Sequence, residues 1–377
     1  MLNAEPQRLA EGPASLSGNA GDRGLVSIIV PVFNGERYLR ESLDSILAQT
    51  YPRTEIFVMD DASTDGTRGV AAAYGERVKY YRQETNRGIY GNANDGIAMA
   101  RGEYIAIYHA DDIYDTRMIE REVDFLQRYP EAGAVFCQSI FIDPVGNERG
   151  RLEIPQQVRG GCPLPYATVF NALLKYKNTF LTCPSSMVRA SVYRDVGVYR
   201  DAEFRNTSDM EMWLRIARKY PIGVLEEYLF RYRYGHGNSA QRYRRLRTDP
   251  ERYFRIMDLY LEKGDSAIAT ADALAGHEAH RAEDNLMRAI NFYILGELDQ
   301  AAEVLRLVRP HYILRSSTVQ RARLLMLYWG LQCLVRLPRV NFLAEAFYHR
   351  WNVKGEWDKQ QPMRLRSAAG VRRTGAP

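Results

Sequence analysis

The chain has 377 residues, of which 46% are hydrophobic and 26% charged, as in an ordinary folded protein with two domains or one large domain and an appendage. Its four cysteines are too few and too scattered for a disulfide framework and contain no CxxC pair, so a reducing compartment fits best. The net charge of +5 is uneven, because residues 311–377 hold 12 Lys/Arg against three Asp/Glu, a net +9 that leaves the preceding 310 residues at −4.

Strand and helix patterns alternate from Leu25 onward. The apolar run LVSIIVPVF is rich in β-branched residues, as in a strand that is buried on both faces. The segment ERYLRESLDSILAQT carries apolar residues at helical spacing. Further elements are predicted as strands at 55–59, 78–82, 104–108 and 132–142, and as helices at about 67–74, 90–100 and 116–128. This order predicts an α/β fold with a mostly parallel central sheet.

The rest of the chain has a different pattern. A loop rich in Gly and Pro is expected at 151–165, mixed structure at 179–237, and helices from about residue 250. One helical hairpin, with Gly296 in its turn, is expected to pack against the main body. The run LLMLYWGLQCLV is too short to span a membrane, so it is interpreted as a buried or an interfacial helix. We therefore predict a disordered segment at 1–24, a catalytic domain at 25–249 and a helical region with a basic tail at 250–377.

Two strands of the predicted sheet end on adjacent carboxylates. One stops at Asp60 and Asp61, in EIFVMDDASTDGT, and another at Asp111 and Asp112, in EYIAIYHADD. Ligands of such sheets bind beyond the carboxyl ends of the strands, which is where both pairs lie. An Asp in this position commonly caps the next helix instead. Here the STDGT segment and Asp115 are better placed as caps, which leaves both pairs available to a ligand.

The two acid pairs are predicted to bind different groups. Asp111 and Asp112 repel each other and need a cation, and Mg²⁺ and Mn²⁺ favour carboxylates combined with substrate phosphates. Spare carboxylates at 60 and 61 can accept hydrogen bonds from a base and a ribose. Arg87 is a candidate for a phosphate or base contact, with a solvated loop arginine as the alternative. No GxGxxG follows the first strand, which disfavours a dinucleotide site.

Two candidates lie in the second half of the chain. Asp209 falls in the first turn of the helix predicted for SDMEMWLRI, where the helix dipole stabilises an anion whether its role is structural or catalytic. Ser208 and Glu211 fit a capping box, so Glu211 is predicted to be structural. His236, in RYRYGHGNSA, is either an exposed loop histidine or a metal or phosphate ligand.

Five segments together resemble glycosyltransferase family 2, in the order of that family and over roughly residues 25–239. They are SIIVPVFNGERYL, EIFVMDDASTDGT, NRGIYGNANDGIAMARGEYI, HADDIYDTRMIE and SDMEMWLRI. The resemblance implies a GT-A fold and an inverting enzyme that uses a nucleotide-sugar donor and Mn²⁺ or Mg²⁺. Two positions depart from the family pattern, since His109 stands where Asp is common and Ser208 where Glu usually precedes Asp209.

The resemblance also implies a role for each matching position. Pro31 and Phe33 would line the nucleoside pocket, and Asp61 would hydrogen-bond the nucleobase with Asp60 beside it. Arg87 would close over the nucleotide, while Asp111 and Asp112 would contact the ribose and the diphosphate-bridging metal. Asp209 would be the catalytic base, and His236 would be a metal ligand in the closing loop.

The expected function is transfer of a sugar from a nucleoside diphosphate, UDP by default, to a hydroxyl of a glycan or lipid-linked acceptor in surface polysaccharide synthesis. The alternative is a catalytically inactive nucleotide-sugar-binding partner in an assembly complex. No nucleic-acid partner is expected. The basic C-terminal region either contacts an anionic membrane surface or is a solvated extension. The expected location is the cytoplasm or the inner face of the cytoplasmic membrane.

Overall fold

A computed structural model describes residues 24–235, 246–314 and 318–348, together with the backbone of 365–366. The segment expected to be disordered, apart from Gly24, lies outside the described residues. The same holds for His236 and for most of the basic tail.

The body of the protein is one mixed sheet covered by helices. Its strands are β1 (Val26–Val32), β2 (Thr54–Asp60), β3 (Lys79–Arg82), β4 (Tyr104–Ile107), β5 (Ile113–Tyr114), β6 (Ala134–Ile142), β7 (Glu148–Leu152), β8 (Ser186–Arg189), β9 (Ile222–Arg233) and β10 (Leu365–Arg366). Their order is β10-β7-β6-β8-β4-β1-β2-β3, and β9 pairs with β5 and β6.

The first four strands form the parallel part of the sheet. Strand β1 lies between β2 and β4 and is parallel to both, and β3 is parallel to β2. Strand β8 is antiparallel to β4 and β6. The predicted α/β fold with a mostly parallel sheet is therefore confirmed. Because β2 and β4 flank β1 in parallel, their carboxyl ends lie at the same edge of the sheet.

Helices follow most of the strands, and the elements between β9 and β10 are all helices. They are α1 (Leu39–Leu47), α2 (Thr67–Ala72), α3 (Ile89–Met99), α4 (Met118–Arg128), α5 (Tyr166–Tyr176), α6 (Ala190–Val196), α7 (Asp201–Phe204), α8 (Ser208–Ala217), α9 (Arg252–Glu262), α10 (Ala271–Leu295), α11 (Leu298–Arg306), α12 (Pro310–Ile313), α13 (Thr318–Leu334) and α14 (Asn341–Tyr348). The bounds of α2, α3 and α4 lie within two residues of the predicted ones.

Strand β1 is buried on both faces, as its apolar run predicted. Alternate residues of that strand face opposite sides. Ile28 and Val30 belong to the core that includes Leu43 of α1, and Ile29 belongs to the core that includes Trp213 of α8. Each fully buried side chain of this kind contributes about 2 kcal/mol through loss of apolar surface from water.

The helical region has two parts. Phe254 and Met257 of α9, and Ala273 at the start of α10, belong to the same core as Trp213. A separate core begins at Ala282 in α10 and includes residues of the later helices. The boundary predicted at 249/250 thus marks a change in secondary structure, whereas the body's core continues into α10.

The predicted hairpin is present between α10 and α11. Gly296 ends α10 with a φ of 86°, in the left-handed region that favours glycine. The hairpin was expected to pack against the body. The part of α10 that belongs to the hairpin, from Ala282 onward, packs into the separate core instead. Within the described ranges, no helix is both long and apolar enough to cross a bilayer.

Candidate functional site

The loops after β1 and β2 are bonded to each other. The backbone N–H of Asn34 donates to the Ser63 hydroxyl at 2.9 Å, and the Asn34 side-chain oxygen accepts the N–H of Thr64 at 2.8 Å. The N–H of Gly35 donates to the Thr67 hydroxyl at 2.8 Å. The polar STDGT segment therefore holds the end of β1 as well as the start of α2, and the two loops form one rim at the sheet edge.

The two residues predicted to line the nucleoside pocket lie at this rim. Pro31 is buried within β1, while Phe33, just beyond the strand, is 52% exposed. An exposed aromatic ring at the carboxyl end of a central strand has a face available for a planar ligand. The pocket assignment of Phe33 and Pro31 stays a prediction.

Asp60 and Asp61 have different environments. Asp60 exposes no surface, and its oxygens accept bonds from the N–H of Ser63 at 2.8 Å and from the Tyr80 hydroxyl. Asp60 therefore holds the strand end in this structure, and its expected place beside the base stays a prediction. The sequence could not reveal this, because the decisive partner, Tyr80, comes from β3.

Asp61 joins the end of β2 to the start of α3. Its two oxygens accept the backbone N–H groups of Arg87 at 2.7 Å and Gly88 at 2.9 Å. Burial raises the pKa of Asp61 in spite of these bonds. The Arg87 guanidinium lies on Asp95, so contact with a phosphate would require it to leave that partner. The ligand contacts predicted for Asp61 and Arg87 stay predictions.

The loop after β4 contains a cluster suited to a divalent cation. His109, Asp111 and Asp112 each offer a ligand atom, and these atoms all lie within 4.8 Å of one another. Asp112 Oδ2 and His109 Nε2 are buried and make no hydrogen bond in the part of the chain that the structure describes. A bound cation would satisfy such atoms.

The protonation of this cluster also suits a metal. Burial lowers the pKa of His109, so its imidazole is neutral near pH 7 and keeps a lone pair for a ligand bond. Burial and the neighbouring Asp111 raise the pKa of Asp112 well above its usual range, which a cation would reverse. The residues present therefore fit a divalent ion, with His109 in addition to the two predicted acids.

Arg233, which the sequence did not single out, holds this loop in place. Its backbone N–H donates to Asp112 Oδ1 at 2.8 Å and its Nε donates to the Asp111 carbonyl at 2.9 Å. The guanidinium also pairs with Glu41 and lies 4.6 Å from the ring centre of Tyr38. Arg233 ends β9, which pairs with β5 directly after the acids. Only this strand pairing, far away in sequence, brings Arg233 to the site.

Asp209 is partly buried in the first turn of α8. Burial raises the pKa of Asp209 to about 6. Hydrogen bonds from the backbone N–H of Met210 and from the Tyr90 hydroxyl act in the opposite direction and lower this pKa. Burial raises the pKa of Tyr90 well above its usual value, so this hydroxyl remains a donor throughout the neutral range. Tyr90 had no predicted role, since nothing local to α3 indicates which acid it meets.

The capping box predicted for the start of α8 is wrong. The Ser208 hydroxyl donates to the carbonyl of Arg205 at 2.6 Å, and the Glu211 carboxylate pairs with Arg215 at 2.9 Å and with Arg200 at 3.4 Å. Glu211 is nevertheless structural, as expected, because it is buried and bonded to two arginines. Asp209 is thus the acid of this turn that has no basic partner among the contacts described.

One buried thiol feels the charge of two of the acids. Cys183 interacts electrostatically with both Asp209 and Asp112 and hydrogen-bonds to Tyr90. Asp61 binds the N-terminal turn of α3, the helix that carries Tyr90. Asp61 and Asp112 thus follow β2 and β4, whose carboxyl ends lie at one edge of the sheet, and a cleft shared with Asp209 stays a prediction. His236 lies outside the described residues.

Comparisons with known sequences agree with this arrangement. Residues 27–197 match the model of glycosyl transferase family 2. The putative glycosyltransferase EpsE of Bacillus subtilis is 34% identical over 221 residues, which cover 57% of this chain and 74% of that protein. An uncharacterized glycosyltransferase of Rickettsia felis is 33% identical over 213 residues, 56% of this chain. The chain spans only 34% of the length of that relative and of a similar one from Rickettsia conorii.

Solved structures share the fold at low sequence identity. S. aureus TarS 1–349, also solved with UDP-GlcNAc, matches with a TM-score of 0.53 and 17% identity, over 83% of this chain and 91% of TarS 1–349. The mannosyltransferase PcManGT of Pyrobaculum calidifontis, solved with GDP-Man and Mn²⁺, matches with a TM-score of 0.52 and 18% identity, over 91% and 92% of the two chains. These neighbours confirm the expected GT-A fold.

Proposed function

Because this chain belongs to glycosyl transferase family 2, we propose that it transfers a sugar from a nucleoside diphosphate to a hydroxyl of a glycan or lipid-linked acceptor, with inversion at the anomeric carbon. The observation that carries the proposal is the His109–Asp111–Asp112 cluster that follows β4, and the raised pKa of Asp209 supports it. The expected setting is surface polysaccharide synthesis on the cytoplasmic side of the membrane.

The donor nucleotide would lie along the rim formed by the ends of β1 and β2. In this proposal the base lies against Phe33 and hydrogen-bonds near Asp61, and Arg87 closes over the phosphates. UDP is the proposed nucleotide by family resemblance, and the TarS complex with UDP-GlcNAc supports it. The PcManGT complex with GDP-Man keeps GDP as the second candidate.

The divalent ion would be held by His109, Asp111 and Asp112. We expect Mn²⁺ in preference to Mg²⁺, because imidazole suits transition-metal ions better than Mg²⁺. When bound, the ion would offset the negative charge that develops on the departing nucleoside diphosphate. Arg233 contributes by fixing the loop, since it bonds to both acids of the cluster.

Asp209 is the proposed general base. A carboxylate whose pKa is about 6 is mostly ionised at pH 7 and is still basic enough to take a proton from the acceptor hydroxyl as it attacks. The Tyr90 hydroxyl keeps the carboxylate in a defined orientation. A single displacement needs one base and no enzyme nucleophile, which agrees with inversion.

Donor binding is tested first, by thermal shift with UDP-, GDP- and dTDP-sugars, each with and without Mn²⁺. We expect stabilisation by one nucleotide class that depends on Mn²⁺. Absence of any metal-dependent stabilisation would contradict the proposed site.

Catalysis is tested by following release of the nucleoside diphosphate from that donor. Asp209→Asn is expected to keep donor binding and to lower the rate by about 10²–10⁴-fold, the usual contribution of a general base. If this variant bound donor and supported polysaccharide synthesis as well as the wild type, the chain would instead be the inactive binding partner. The raised pKa of Asp209 favours the enzyme.

A further inference from the structure

Helix α13 has apolar residues on two opposite faces. Leu324, Tyr328 and Leu331 face inward and belong to the core of the helical region. On the other side, Met326 is 70% exposed and Trp329 is 62% exposed. A helix that is apolar on all sides is normally covered on all sides.

More exposed apolar side chains follow this helix in the chain. Leu337, in the turn that follows, is 54% exposed, and Phe342, at the start of α14, is 74% exposed. We call Met326, Trp329, Leu337 and Phe342 the C-terminal ridge. Soluble proteins seldom expose several large apolar side chains so close together in the chain unless another surface covers them.

The charge of this region indicates what covers it. Residues 318–348 hold four arginines and one glutamate, and residues 349–377 add seven Lys/Arg against two acids. A second copy of the chain would bring the same positive charge against itself, which disfavours a symmetric dimer through this surface. An anionic lipid surface instead attracts the arginines and accepts the apolar side chains, and Trp in particular favours the interface.

We propose that the C-terminal ridge binds an anionic membrane surface, with its four apolar side chains inserted at the headgroup level and the exposed Arg336 on a lipid phosphate. This deepens the proposed function, because it would keep the enzyme at a membrane that holds a lipid-linked acceptor. Binding itself needs neither donor nor acceptor, so it can be tested independently of sugar transfer.

The test is co-sedimentation of the full chain with vesicles of phosphatidylcholine alone or with 30–40% phosphatidylglycerol, about the range in which anionic attraction becomes effective. We expect binding to the anionic vesicles only, weakened by raised salt. The variant M326S/W329S/F342S is expected to bind at least tenfold more weakly. The matched control is V145S/L307S, whose positions are 75% and 58% exposed outside the ridge, and it is expected to bind like the wild type.

Two further measurements complete the test. The variant R336E reverses the charge of the exposed Arg336 and removes no apolar surface. It is expected to lower binding to anionic vesicles severalfold. This variant replaces the triple variant as the test if the triple variant fails to fold. Light scattering without lipid reports self-association. The proposal is overturned if anionic vesicles do not bind the chain, if the ridge variants bind them as well as the control, or if the wild type is a dimer that the ridge variant dissociates. Mn²⁺-dependent donor stabilisation should be the same in all variants, and its absence would count against the proposed function alone.

Discussion

Replacing Tyr90 by Phe removes one hydroxyl next to the proposed base. Burial raises the pKa of Asp209 to about 6 while the Tyr90 hydroxyl holds it down. A hydrogen bond to a charged group contributes about 1.5–3 kcal/mol, and one pKa unit corresponds to about 1.4 kcal/mol. Loss of the bond is therefore expected to raise the pKa of Asp209 by about one to two units.

The kinetic consequence follows from the form of Asp209 that acts. A general base must be ionised to act. The acid limb of the kcat profile is therefore expected to move to higher pH by about one to two pH units. At pH 7 the ionised fraction would fall from about nine-tenths to between about a half and a tenth, which lowers kcat about two- to tenfold. Activity should recover above about pH 9. The nearby Cys183 does not interfere, since burial raises its thiol pKa well above the usual value.

The assay is release of the nucleoside diphosphate between about pH 5 and 9.5, with the KM for the donor measured at each pH. Tyr193→Phe is the matched control, because it removes a buried hydroxyl whose partner is the Tyr199 hydroxyl at 3.4 Å. That variant should keep the wild-type pH profile. A Tyr90→Phe enzyme that is slower at every pH, with its acid limb in the wild-type position, would refute the role given to Tyr90 and leave it a purely structural residue.

The remaining predictions concern the acids and the metal. Asp112→Asn is expected to abolish Mn²⁺-dependent stabilisation by the donor in thermal-shift measurements, and the Arg233 N–H bond can be kept by the new amide oxygen; an unchanged metal response would contradict the site. His109→Ala is expected to weaken Mn²⁺ about tenfold more than Mg²⁺, as measured by metal titration, because only Mn²⁺ gains from the imidazole; equal losses would contradict that preference. Asp209→Asn is expected to raise the free energy of unfolding at pH 7. The folded-state pKa of Asp209, about 6, lies above the ordinary value of 3.8. Between pH 3.8 and pH 6 the folded protein therefore binds a proton that the unfolded chain has lost, and at higher pH the ionised Asp209 destabilises the fold. After allowance for partial exposure, urea denaturation should show a gain of about 1–2 kcal/mol at pH 7 and almost none below pH 4. An equal gain at both pH values would mean that packing is responsible.

Local patterns were sufficient for the fold and for part of the site. The alternation of short apolar runs with helical periodicity placed β1 to β4 and α2 to α4, because these signals come from residues close together in the chain. The same reasoning placed Asp61, Asp112 and Asp209 at the ends of elements. It also identified the resemblance that implied their roles.

Contacts between distant segments could not be derived in this way. The bond from Tyr80 that holds Asp60 at the strand end depends on the pairing of β2 with β3. Arg233 reaches Asp112 across 121 residues through β9. The pairing of Glu211 with Arg200 and Arg215 replaced a capping box that fits the local sequence equally well. In each case tertiary packing selected one of several partners that the sequence allowed.

The pKa directions separate two kinds of acid in this protein. Burial raises the pKa of Asp61, Asp112 and Asp209. In two other acids hydrogen bonds outweigh burial and lower the pKa. Bonds from Lys79 and Ser27 lower the pKa of Glu55, and bonds from Asn147 and Arg149 lower that of Asp143 to about 2. Acids of the second kind stabilise the fold once ionised, while those of the first kind destabilise it at neutral pH.

Burial alone does not identify the site, because Glu122 also has a raised pKa, in the core beside Tyr108. What distinguishes Asp112 from Glu122 is that it lies beside Asp111 and a neutral histidine whose Nε2 has no protein partner in the described residues. Glu122 is a single acid that can remain protonated within the core. Buried acids are ionised more readily when a cation or a donor joins them, so we expect ligand binding to recover the stability that Asp112 and its neighbours give up.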